Sequence, residues 1–270
     1  MTDVLEFIGM EPAGAPDRWR LPVTRAVCGG ATGALFGGVA LAAGVEAMER
    51  FTGRPLVWAT VQYLSFARPP AVIELEVVEA SRGYKVSQAR AVGRAGETEV
   101  FTVNAALGTR EFEGTGVWAE PPAVPPPEAC PPRPLDERFA GSLVDRIEMR
   151  LADARDPTQF DDTPGSGRSA LWARVPGLGV SSASLAVVGD MVPFGISQAL
   201  GMRAGGNSLD NTLRMVQLVA TEWMLLDVRI YAVVNGYGHG HVHIWSEDRQ
   251  LLATGSQSAI VRTWRDSPPR

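Results

Sequence analysis

Asp190, Ser208 and Gln257 are the residues of this chain whose types and surroundings could support chemistry. Asp190 stands in an apolar run, flanked by Val187, Val188, Met191 and Val192. A carboxylate there must be paired, hydrogen-bonded or open to a cavity, because burying it alone is very costly. It reads as a helix-capping aspartate ahead of Pro193, or as a general base or water-orienting group in an apolar pocket. Ser208 opens a strand, where serine is ordinarily a turn or cap residue. Gln257 sits in a late strand among Thr254, Gly255, Ser256 and Ser258, where glutamine is ordinarily solvated. Neither signal is specific by itself.

An internal repeat gives these residues context. Residues 58–108 lie over residues 207–262: a mixed strand, a long apolar strand, a Gly-Tyr pair (Gly83-Tyr84 and Gly236-Tyr237) and two more alternating strands. An apolar segment rich in small residues precedes each block, residues 35–48 and 185–200. The repeat is near 150 residues, the size of one domain, so this is duplication and not a solenoid of short units. The copies differ in polarity. The counterpart of Ser208 falls near Ala59, the helix around Leu41 and Gly44 has no carboxylate, and counting from the Gly-Tyr pair sets Asn104 opposite Gln257. One copy reads as chemically competent and the other as largely structural.

The positioning elements follow from local pattern. The first helix begins near Gly38, and its interior glycines, at up to ~1 kcal/mol each against alanine, need a packing reason. The second, over residues 186–199, contains Pro193, which should kink or restart it. Residues 146–152 and 169–175 read as further strands. Eight of the 20 prolines fall between Pro121 and Pro134. Proline fixes φ and removes a donor, so this stretch is an extended strap and neither helix nor central strand. The organisation expected is an N-terminal unit over 1–113 with a degenerate site, a linker over 114–135 and a C-terminal unit over 136–270 carrying the chemistry. A helix wrapped by an antiparallel sheet, used twice, is an α+β double hotdog with two sheets, each around a central helix.

Composition narrows the function. The chain has 270 residues, is 45% hydrophobic and carries a net charge of −5. That balance argues against nucleic acid as a partner, since phosphate binding needs a basic stripe. Two cysteines, Cys28 and Cys130, make no disulfide framework and read as reduced thiols of a cytoplasmic protein. The first ten residues lack a signal-peptide pattern, and the apolar stretch over 33–47 is too short to span a bilayer.

Several segments together resemble the bacterial thioesterase II-type acyl-CoA thioesterases over nearly the whole chain. They are Leu35-Phe-Gly-Gly-Val-Ala-Leu-Ala-Ala43, Ser65-Phe-Ala-Arg-Pro-Pro70, Arg146-Ile-Glu-Met-Arg150, Leu171-Trp-Ala-Arg174, Val188-Gly-Asp190 and Ala253-Thr-Gly-Ser-Gln257 with Arg262. The resemblance implies a double-hotdog enzyme in which an Asp, a Thr or Ser, and a Gln orient the attacking water, roles that fall on Asp190, Ser208 and Gln257. Ser208 keeps the hydroxyl where relatives commonly have Thr. Where relatives often read His-Arg-Pro, this chain reads Val216-Gln217-Leu218, so the acyl or CoA contacts of that segment are not carried over.

The mechanism so implied is direct hydrolysis of an acyl-CoA thioester, with no metal or organic cofactor and with a homo-oligomer as the expected assembly. Backbone N–H groups at a helix N-terminus would meet the oxyanion, with Gly37 and Gly38 as candidates because a backbone without Cβ admits close approach. Helix packing accounts for these glycines equally well. The acyl chain would lie among Phe36, Met191 and Phe194. The rivals are a non-catalytic acyl-CoA or acyl-chain binding protein of the same fold, and a purely structural duplicated domain.

Other features carry less. His239, His241 and His243 share one strand face, and the outer two stand roughly 13 Å apart, too far for one ion. They read as an exposed or interface stripe, and no Ser-His-Asp arrangement suggests itself. The glycines between Gly29 and Gly38 lack the Gly-Lys-Ser/Thr or Gly-x-Gly-x-x-Gly of nucleotide loops. No histidine follows Asp190 before His239, which argues against the hydratase chemistry found on hotdog folds.

Overall fold

The chain is described here from a computed structural model covering residues 2–29 and 33–263. A short helix, α1 (Val4–Ile8), leads into β1 (Glu11–Pro12) and β2 (Arg18–Pro22), then α2 (Gly37–Thr52). The first meander is β3 (Leu56–Tyr63), β4 (Val72–Arg82), β5 (Val86–Ala95) and β6 (Thr98–Gly108). After the strap come β7 (Glu148–Asp153) and β8 (Arg168–Arg174), then α3 (Ser182–Val188) and α4 (Val192–Leu200). The second meander is β9 (Ala204–Met215), β10 (Met224–Val234), β11 (Tyr237–Ser246) and β12 (Leu251–Thr263).

All strands pair antiparallel, in the order β1-β2-β4-β5-β6-β3-β9-β12-β11-β10-β8-β7. The second half of that order mirrors the first, so the duplication is visible as an internal two-fold. The expected pair of sheets is thus one continuous sheet, each half wrapping its own helix, fused where β3 meets β9. At that seam Thr60 and Thr212 stand opposite one another and share a 2.8 Å hydrogen bond. The helices α2 and α3 pack together inside the wrapped sheet, and the core runs without a break through both halves.

Glycines in α2 allow this close packing. A Cβ on Gly38 would lie 2.8 Å from the carbonyl oxygens of Ala186 and Val187 in α3, and one on Gly44 would lie 2.6 Å from Val103 in β6. The second helix breaks as Pro193 requires, into α3 and α4, with Gly189, Asp190 and Met191 between them. By length and composition alone Ser182–Leu200 could cross a membrane, yet it lies buried in the fold.

The proline-rich segment crosses the outer face of the C-terminal half-sheet. It covers an apolar patch that includes Trp172, Trp223, Leu225 and Trp245. Trp172 Nε1 donates to the Pro125 carbonyl at 2.9 Å, and Leu151 N–H donates to Pro131 at 2.9 Å. Proline leaves carbonyls without competing N–H groups, which suits a segment that accepts bonds from the sheet and touches its β7 edge through a single antiparallel bridge, Pro132 to Arg150. Cys28 and Cys130 are both buried free thiols.

Candidate active site

The break between α3 and α4 places Asp190. A reciprocal Ser181/Ser184 capping box starts α3, and Pro193, whose missing N–H costs nothing at a helix start, restarts the chain as α4. Asp190, in the gap, is buried. Its Oδ2 accepts the backbone N–H of Gly38 at 2.7 Å. Gly38 is the second residue of α2, and the N-cap of that helix, Phe36, offers no side-chain acceptor. Capping is therefore part of what Asp190 does, but the helix it caps is α2 and not its own. The positive end of α2 faces the carboxylate, which favours its charged form.

Gln257 lies on β12 with its side chain turned into the core. Its Oε1 accepts the Val192 N–H at 3.1 Å, and its Nε2 donates to Asp190 Oδ1 and, at 3.3 Å, to Ser208 Oγ. A backbone N–H can only donate, so the carbonyl end of the amide must face Val192 and the NH2 end must face Asp190 and Ser208. Ser208 reaches the same spot from β9, the neighbour of β12. The three residues marked in the sequence thus converge. Asn104 does not correspond to Gln257: it is exposed, and its neighbours Val103 and Ala105 point inward. Bulges in the ladders shift the pleat between the copies, so counting from the Gly-Tyr pair lands one residue off the inward face.

The N-terminal half closes the site. A Cβ on Gly37 would fall 2.7 Å from Asp190 Oδ2 and 2.8 Å from the Tyr63 hydroxyl, so only glycine leaves room between them. Gly37 opens α2 and has no intrahelical acceptor for its N–H. The Gly38 N–H, expected alongside it as an oxyanion donor, is instead committed to Asp190. Tyr63 was not anticipated, although the alternation Ala59, Val61, Tyr63 along β3 directs it to the inner face. Its hydroxyl is buried beside the Asn211 side chain, and no described group meets it in full hydrogen-bond geometry. A cavity of about 590 Å³ opens on this cluster and is lined by Asp190, Ser208, Tyr63, Phe36, Met191 and Phe194 among others.

Burial raises the Asp190 carboxyl above the usual range, and its bonds from Gln257 and Gly38 partly oppose the shift. Tyr63 is pushed well above its ordinary value, first by burial and then by the charge on Asp190 and Asp210, while Asn211 opposes. It therefore stays a protonated donor, while the carboxylate beside it can take a proton.

The histidines lie apart from this cluster on the outer face of β11. His241 contacts Tyr231 and stacks with His243 at 4.8 Å between ring centres, and burial holds both below the ordinary histidine value. Among the described residues no three His, Cys, Asp or Glu side chains form a metal-binding group.

Comparison with known proteins bears on the family and the fold. The family model for the acyl-CoA thioesterase N-terminal domain matches residues 28–108, and that for the acyl-CoA thioesterase C-terminal domain matches residues 127–261. A structure from Novosphingobium aromaticivorans, assigned as a thioesterase, is 32% identical. It covers 92% of this chain and 97% of its own, with a TM-score of 0.82. The tesB protein of Mycobacterium avium subsp. paratuberculosis shares the fold at 17% identity, covering 96% and 98%, with a TM-score of 0.79. Acyl-CoA thioesterase II TesB2 of Mycobacterium marinum does so at 18% identity, covering 98% and 100%, with a TM-score of 0.74. No curated protein matches the chain. The two domain matches, in the order that the duplicated hotdog requires, make this chain a member of the thioesterase II-type acyl-CoA thioesterase family and a thioester hydrolase.

Proposed function

We propose that the protein hydrolyses a fatty or related acyl-CoA to free acid and CoA by direct attack of a water molecule that Asp190, Ser208 and Gln257 orient. The observation that carries this reading is the buried Asp190 carboxylate, held by Gly38 and Gln257 on the wall of a largely apolar cavity. Asp190 takes a proton as the water oxygen bonds to the thioester carbon. The carbonyl oxygen gains the charge, and in this reading the Gly37 N–H and Tyr63 O–H donate to it. When the tetrahedral species collapses, the C–S bond breaks and the proton passes from Asp190 to the CoA sulfur. The acyl chain lies among Phe36, Met191 and Phe194.

This reading divides labour between the halves. Residues 1–113 supply Gly37, Gly38 and Tyr63, residues 136–270 supply the water-holding three, and residues 114–135 tie the halves together. The N-terminal unit has no carboxylate at the place matching Asp190 but completes the site of the other. Release of free CoA from a ladder of acyl-CoAs tests the proposal, with turnover of at least one chain length expected. Binding without any turnover would replace it with the non-catalytic acyl-CoA or acyl-chain binding protein.

A further inference from the structure

The strap delivers one cation to the cavity wall, Arg133. Its backbone N–H donates to Met149 at 2.9 Å, fixing the residue where the strap runs along β7. Its guanidinium stands 4.9 Å from the ring centre of Phe194, on the α4 turn that follows Asp190. Among the described residues the only hydrogen-bond partner of the guanidinium is the Met149 sulfur, 3.1 Å from Nη1, and sulfur is a weak acceptor. Its Nε is buried with no hydrogen-bond partner among the described residues.

Neighbouring arginines are treated differently. Arg150 and Arg174 pair with Glu148, and Arg146 donates to the carbonyls of Phe7 and Ala26. Asp136, three residues beyond Arg133, caps the turn at Arg138 and lies 3.9 Å from that side chain. Among the described residues no carboxylate lies within ion-pair distance of Arg133, in a chain whose net charge is −5. Burial lowers its pKa to about 10, so it remains a cation at neutral pH. A half-buried cation on a cavity wall without a counter-charge is unfavourable, and a ligand that supplies the charge would relieve it. The planar fork of arginine suits two parallel bonds to a carboxylate or phosphate.

We propose that Arg133 recognises an anionic oxygen group of the substrate, brought to it by an acyl chain that ends in a second carboxylate. The inference rests on the thioesterase reading of the same cavity and names the acyl class it favours. Stacking on Phe194, inside the apolar lining, supports the acyl end as the source of the charge over the phosphates of CoA. The exposed Arg203 and Arg262 also line this cavity, where the register sets Arg262 opposite Gly205, and they offer phosphates a more hydrated site.

The test compares suberyl-CoA with octanoyl-CoA, chains of equal length that differ only in the terminal carboxylate. Wild type should favour suberyl-CoA in kcat/KM. Arg133→Met, which keeps a stem over Phe194, should lose about 10-fold or more of that preference and leave octanoyl-CoA nearly unchanged. Arg133→Lys should retain part of it, which separates charge from packing. An equal loss for both esters, with weaker inhibition by free CoA, would move the anion to the carrier phosphates and overturn the acyl assignment. Unchanged kinetics would overturn the proposal outright. Binding of suberate against octanoate, followed by calorimetry on wild type and Arg133→Met, reads the same preference without turnover. It therefore distinguishes a wrong Arg133 from a wrong hydrolase.

Discussion

The Gly38 amide donates to the Asp190 carboxylate at 2.7 Å, and the two residues lie 152 positions apart, the same separation as the seam pair Thr60 and Thr212. Residues at matching places in the repeat therefore meet across the internal two-fold. One copy offers a helix N-terminus and the other answers with a carboxylate. That exchange makes a single asymmetric site from a symmetric scaffold, and it explains why neither half alone contains the arrangement.

Tyr63→Phe removes the buried hydroxyl while keeping the ring. If that hydroxyl meets the oxyanion, kcat should fall by up to about 10²–10³-fold with KM nearly unchanged, the pattern of an interaction made only in the transition state. Steady-state kinetics on one acyl-CoA checks it. A thermal midpoint close to wild type would exclude loss of fold as the cause.

Gly37→Ala and Gly38→Ala should fail differently. A methyl on Gly37 projects between Asp190 Oδ2 and the Tyr63 hydroxyl, so turnover should be lost with little change in stability. A methyl on Gly38 meets two backbone carbonyls of α3, which cannot swing aside, so that variant should lose stability as well. Thermal melts alongside activity assays separate the two outcomes.

Because Asp190 must be ionised to accept a proton and burial raises its carboxyl, kcat/KM should fall on the acid side with a midpoint above the ordinary carboxylate range. The bond from Gln257 opposes that rise. Gln257→Leu should therefore carry the acid limb to still higher pH, besides lowering the maximum. A pH–rate profile of both proteins reads the direction directly.

Much of this was legible in the amino-acid sequence because two kinds of signal agreed. Alternation and the repeated Gly-Tyr pairs marked both meanders, and Pro193 marked the helix break that holds Asp190. The convergence of Asp190, Ser208 and Gln257 came from resemblance, since no spacing along a chain fixes contacts between β9, β12 and a helix break. Asn104 was misplaced because a β-bulge changes which residues face inward without leaving a clear mark in composition. Gly38 was assigned to the oxyanion because the acceptor for its N–H lies 152 residues away. Nothing in the sequence singles out Tyr63 or Arg133, because a tyrosine in a strand and an arginine in a strap are ordinary until their buried polar atoms are seen to lack full hydrogen-bond partners among the described residues.

The account turns most directly on Asp190→Asn. Its kcat should fall by about 10²–10⁴-fold, the range for loss of a general base, while the Kd for a non-hydrolysable acyl-CoA thioether stays within a few-fold of wild type. Turnover at the wild-type rate by a folded Asp190→Asn protein would contradict it.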